Sequence, residues 1–243
     1  MNLAVVTETL RRNLLSPGFI IYMAFMVVVA VGTTILTGSP GSWQTFLGLI
    51  VLVLGAQLIG PEFSSGTLQL ILVRPINRSV YVVSRWTGMV LTILVAILIA
   101  LSADMIAVMG VGQVPWRPML ASATNRFADA LLVCALLAFF GAFLRSYFNV
   151  AMLILLQIAS GFLLGAIEEL RPGMPGMIGW LGAFFDRHPV FGAAVATVAR
   201  NLFPTRPNDF NMDYYLLILS NTAVALLLTC LIFRRREVPY GAD

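Results

Sequence analysis

The chain has 243 residues, 59% of them hydrophobic and 11% charged, with a net charge of +4 and a mean hydropathy of +0.92. Soluble domains carry about 25% charge, so this composition describes an integral membrane protein and excludes a soluble globular domain. All 15 basic residues are Arg. Without Lys there is no P-loop lysine, no Ser-x-x-Lys nucleophile and no Schiff base.

Residues 1–16 come first. Leu3, Val6, Leu10 and Leu14 recur at helical spacing, with Glu8, Arg11 and Arg12 elsewhere on the wheel. This predicts an interfacial amphipathic helix. Ser16-Pro17 then reads as an N-cap followed by Pro at the first helical position. A cleavable signal peptide is the alternative, but the apolar run Phe19 to Leu36 exceeds the usual 7–15-residue signal core. Six spans follow, at about 18–37, 43–60, 86–111, 127–144, 150–167 and 214–233. Each approaches the ~20 apolar residues needed to cross a bilayer. The fold class expected is therefore an all-α integral membrane protein, with 1–243 forming one transmembrane domain.

Arg placement sets the orientation. With the N-terminus inside, nine of the 15 Arg face the cytoplasm: Arg11, Arg12, Arg74, Arg78, Arg85, Arg145 and the Arg234-Arg235-Arg236 stop. Both termini are then cytoplasmic. The four Trp (Trp43, Trp86, Trp116 and Trp180) fall at or outside span ends and read as an interfacial belt. The outer segment 168–213 holds two short apolar runs broken by Asp186-Arg187-His188-Pro189. Neither reaches spanning length, so both read as re-entrant or surface-lying helices.

The cytoplasmic excursion at 61–85 interrupts this apolar pattern. Pro61 ends the second span, Ser64 or Ser65 caps a short helix, and Pro75 stops it. Leu68, Ile71 and Leu72 share one face of that helix. Such a face either lies on the inner membrane surface or docks into a groove on a soluble partner.

Glu62-x-x-x-Gly66-Thr67-Leu68, followed by Arg74-Pro75 and Arg78, resembles the signature of permease subunits of type-2 ATP-binding-cassette exporters. The amphipathic N-terminal helix and six spans with both ends inside are similar to that family. So are the outer helices before the last span and the exit Phe233-Arg-Arg-Arg-Glu237. Arg85 stands where that family more often has Gly-Lys. The resemblance implies a membrane subunit that forms a translocation path. It makes Glu62, Gly66, Thr67, Leu68, Ile71, Leu72, Arg74, Pro75 and Arg78 the coupling element to a separate ATPase. It also implies two cytoplasmic ATPase copies carrying ATP and Mg, and a second permease subunit, identical or related. The expected place is a bacterial inner membrane. The chain itself would hold no cofactor or metal, perform no catalysis and bind no nucleic acid; its other partner is lipid. The rival readings are a non-transporting membrane anchor or scaffold and a solute-capturing importer subunit. A rhomboid-type protease is disfavoured because His188 is the only histidine and falls in an outer loop.

Other polar and small residues within the spans have both packing and functional readings. Gln157, Gly161 and Gly165 share one face of the fifth span, where small residues permit close helix approach. Packing within the subunit and a dimer seam both fit. Asp104 and Asp129 fall near the outer boundary, Asp129 beside Arg126. An outer-boundary role, solvated or Arg-paired, is expected over a proton or substrate relay. Cys134 and Cys230 read as packing residues.

Overall fold

The computed structural model describes residues 1–38, 40–56, 58, 77–112, 116–144, 148–168 and 177–235. Among them every regular element is an α-helix: α1 (Leu3–Leu14), α2 (Pro17–Thr37), α3 (Trp43–Ala56), α4 (Arg78–Val111), α5 (Trp116–Gly141), α6 (Phe148–Glu168), α7 (Met177–Arg187), α8 (Pro189–Leu202) and α9 (Met212–Arg235). Four of these, α2, α4, α5 and α9, are long and apolar enough to cross a membrane. α3 and the stretch Phe148–Leu164 of α6 are apolar but shorter.

Local chemistry explains the boundaries. The Asn2 side chain accepts from the Ala4 N–H at 3.1 Å to start α1. Ser16 accepts from the Phe19 N–H, with Pro17 in the first turn of α2; both roles follow from the Ser-Pro dipeptide. α2 ends at Gly38, whose φ of 67° lies in the left-handed region that closes helices without a side-chain clash. Asn77 caps α4 through the Ser79 N–H.

Two boundaries correct the expectation. The excursion expected to run to residue 85 stops at Asn77, so Arg78 and Arg85 belong to α4. The fourth span begins at Trp116 rather than near 127, because Trp116 to Phe127 continues the helix despite its polar residues. At 34 residues, α4 is about 51 Å long, well beyond the ~30 Å hydrocarbon core.

The described helices fall into two compact units. The first carries α1 to α5 and α9. Within it α9 packs most extensively on α5, while α1 and α2 both lie against α4. α4 and α5 also pack on one another, and α3 lies chiefly on α5. The shared core runs through Met26, Ala30, Trp43, Leu47, Met89, Ile93, Ala96 and Ala100 to Cys134 and Ala138. Its small residues let helix axes approach closely, which matters in lipid because burying Leu from lipid gains little. The second unit holds most of α6 with α7 and α8. There α8 folds back on α7, with Gly192 against the Phe185 ring and Phe184 among Trp180, His188 and Phe191. The break at His188-Pro189 was expected, and it yields two helices of 11 and 14 residues.

Candidate functional site

Polar groups gather at two levels of the first unit. The level nearer the start of α4 joins α1, α4 and α9. The Asn2 N–H donates to Ser84 Oγ at 2.8 Å. Arg85, nearly buried, donates through Nη1 to Thr9 Oγ1 at 3.2 Å. Asn13 reaches Thr92 Oγ1 at 3.4 Å. Thr9 and Val6 lie against Gly88, where a Cβ would come within 2.7 Å of Thr9 Cβ and 3.0 Å of the Val6 carbonyl oxygen. The face of α1 turned to the protein is thus Val6–Thr9–Asn13. Leu3, 67% exposed, does not join that face. A hydroxyl and a carboxamide face α4 because they meet a guanidinium and a threonine there.

Arg78 opens α4 and donates through Nη1 to the Phe233 carbonyl at 3.5 Å. A cation at the last turn of α9 also complements the negative end of that helix. Of the loop residues singled out by resemblance, Arg78 lies among the described residues. Glu62, Gly66, Thr67, Leu68, Ile71, Leu72, Arg74 and Pro75 lie outside them.

The second level joins the far ends of α2 and α4, the start of α3 and the first half of α5. Asp104 is 1% exposed. It accepts from Thr34 Oγ1 on one oxygen, and from the Gly41 N–H (2.8 Å) and Trp43 Nε1 (3.1 Å) on the other. Asp104 was expected to be solvated or Arg-paired. It is neither: its donors among the described residues are a buried hydroxyl, a half-buried backbone amide and a buried indole. Sequence spacing does not reveal these donors, since Thr34 and Trp43 belong to other helices.

Next to it, Gln44 Oε1 accepts from Ser122 Oγ at 2.7 Å and from Arg126 Nε at 3.3 Å. A cleft of about 260 Å³ lies between Gly41, Gln44, Asp104, Met119 and Ser122. Further along α5, Asp129 accepts from the Tyr214 hydroxyl, and Asn125 Oδ1 accepts from Tyr215 at 2.6 Å. Asn125 Nδ2 donates to the Pro207 carbonyl at 2.8 Å. Arg126 and Asp129 sit inside α5 and join α3 and α9 respectively. Sequence reading missed Thr34, Gln44, Ser122, Asn125, Tyr214 and Tyr215. Polar residues spaced along separate helices carry no signal until the helices meet.

The belt expectation is corrected for Trp43. Trp43 is fully buried and bonded to Asp104, whereas Trp116 and Trp180 are exposed. In the second unit Gln157 and Gly161 are exposed, and a Cβ on Gly161 would meet nothing within 4 Å. The surroundings of Gly165 lie outside the described side chains. Among the described residues no group of three or more His, Cys, Asp or Glu could hold a metal ion.

A family model for DUF2705, described as a protein of unknown function, matches residues 41–238. The chain belongs to the DUF2705 family. The matched range begins at Gly41, one of the Asp104 donors, and runs past the end of α9, so it takes in α3 to α9. α1 and α2 precede it, although α1 supplies the contacts to Arg85 and α2 supplies Thr34. No curated protein matches the chain.

Proposed function

We propose that this DUF2705 chain is the membrane-spanning subunit of an ATP-driven exporter, moved by a separate ATPase that engages residues 62–78. The sequence Glu62-x-x-x-Gly66-Thr67-Leu68 with Arg74-Pro75 and Arg78 carries the reading. It sets a short amphipathic run between apolar segments, on the side richest in Arg. In this reading α3 and α6 complete six spans, both termini are cytoplasmic in a bacterial inner membrane, and α7 and α8 lie on or re-enter the outer face. The face of Gln157, Gly161 and Gly165 meets a second permease subunit.

The contacts around the start of α4 support a mechanical role for the loop. α4 begins directly after it, α1 is bonded to Ser84 and Arg85, and Arg78 is bonded to the end of α9. A displacement delivered at residues 62–78 therefore acts on three helices at once. ATP and Mg belong to the partner, since a chain without Lys has no P-loop.

Co-expression with candidate ATP-binding-cassette ATPases of the same cell, followed by co-purification and an ATP turnover assay, tests the reading. The expected result is a stable complex whose turnover falls severalfold with Leu72→Asp. A complex indifferent to Leu72→Asp removes the coupling role and leaves a scaffold. Failure of any ATPase to bind removes the exporter reading.

A further inference from the structure

The cleft beside Asp104 has hydrogen-bonding capacity that the protein leaves unspent. Gln44 shows this most clearly. An Arg side chain only donates, so the contact from Arg126 Nε fixes the Gln44 atom facing Arg126 and Ser122 as the carbonyl oxygen. The amide nitrogen then lies on the other side, over Gly41. There its two N–H groups meet no acceptor among the described residues. Gly41 makes room for them: its φ is 102°, and a Cβ at that position would stand 2.9 Å from Gln44 Nε2. Ser122 spends its proton on Gln44 and keeps oxygen lone pairs. Asp104 also lines the cleft, but it is 1% exposed and its oxygens are held by Thr34, Gly41 and Trp43.

The cleft thus offers the two N–H donors of Gln44 and the oxygen lone pairs of Ser122 within one space. Its charges argue against an ionic ligand. The Arg126 guanidinium on Gln44 disfavours a cation, and the Asp104 carboxylate in the wall disfavours an anion. A hydroxyl both donates and accepts, so it suits such a site better than a carbonyl. The volume of about 260 Å³ falls just below the ~300–1,000 Å³ of drug-sized sites. We propose that this cleft binds a neutral polyol, either a small free sugar-like molecule or the sugar headgroup of a lipid. Gln44 donates to one hydroxyl, while Ser122 accepts from another. The proposal does not rest on the exporter reading, because it involves neither the 62–78 loop nor an ATPase.

Trp43 lines the same cleft and provides the reporter. The other three Trp are changed (Trp86→Phe, Trp116→Phe, Trp180→Phe), and the full chain is placed in nanodiscs free of sugar-based detergent. Emission is followed while glycerol, myo-inositol and methyl glucoside are added in turn. A second arm uses nanodiscs doped with a glucosyl diacylglycerol. The expected result is a saturable change with at least one probe. Saturation by a soluble probe assigns a free ligand, and a change confined to the doped nanodiscs assigns a headgroup. Ser122→Ala should weaken the response roughly three- to tenfold, the effect of one hydrogen bond of about 0.5–1.5 kcal/mol. Gln44→Glu should abolish it, since it keeps acceptors for Ser122 and Arg126 while removing both N–H donors. Absence of a saturable change in both arms overturns the proposal, as does a response that persists unchanged in both folded variants.

Discussion

Asp104 sits in an apolar bundle with three donors supplied from outside its own helix. A carboxamide replaces it poorly there. With its NH2 toward the Gly41 and Trp43 N–H groups, Asp104→Asn orphans those donors; with its NH2 toward Thr34, the threonine hydroxyl must turn from donor to acceptor and the charge-assisted bonds are lost. An orphaned donor costs about 1–3 kcal/mol. Asp104→Asn should lower the melting temperature of the purified protein by several degrees. Unchanged melting would show that the carboxylate does not hold these ends together. Tyr214 makes a different case. Tyr214→Phe keeps the ring and removes the hydroxyl that reaches Asp129 and the Asn125 carbonyl. Hydrogen bonds between membrane helices average only about 0.6 kcal/mol and reach about 1.7. The expected loss therefore stays within that range, measured by reversible unfolding in mixed micelles. A loss above 3 kcal/mol would mean that the hydroxyl organises more than this one helix pair.

Helix pairs set the next scale. α1 adheres to α4 through Val6, Thr9 and Asn13 because Gly88 leaves α4 without a side chain at the contact. Gly88→Ala would drive a Cβ against Thr9 Cβ and the Val6 carbonyl, and backbone yields less readily than a side-chain end. Overpacking of this kind costs about 1–3 kcal/mol. The visible consequence should be faster tryptic cleavage after the exposed Arg11 and Arg12, with α2 to α9 otherwise intact. Equal cleavage in parent and variant would count against this packing. Gly55 makes the same kind of contact between α3 and α5, where a Cβ would lie 2.2 Å from Leu137 Cδ1. Hydropathy alone reveals neither contact, since a glycine in an apolar run looks alike whether it faces lipid or a neighbour.

For the whole molecule, orientation is the open variable. The proposed orientation has the N-terminus and residues 62–78 on the cytoplasmic side, whereas the Asp104 cleft lies at the ends of α2 and α4 away from Arg85. Cysteine labelling checks this. In a Cys134→Ala, Cys230→Ala background, Trp116→Cys should react with a membrane-impermeant maleimide added to intact spheroplasts. Arg11→Cys should react only after permeabilisation. The opposite pattern would invert the topology and, with it, the proposed site of ATPase contact.

Much of the architecture was legible in the residues themselves. Apolar runs near bilayer length, Ser16-Pro17 and the break at His188-Pro189 announce helices and their ends through local chemistry, which neighbours in sequence suffice to specify. The limits of that reading are equally local. The excursion was carried past Asn77 because polar residues that open a helix look like loop, and α5 was started late for the same reason. Helix class and membrane character were determined by the sequence alone, because composition and period decide them. Only the tertiary structure decided that Trp43 is a buried donor rather than a belt residue, that Arg85 serves α1, and that Asp104, Gln44 and Ser122 share one cleft. Those pairings join residues many turns apart, and only helix packing brings their donors and acceptors within reach.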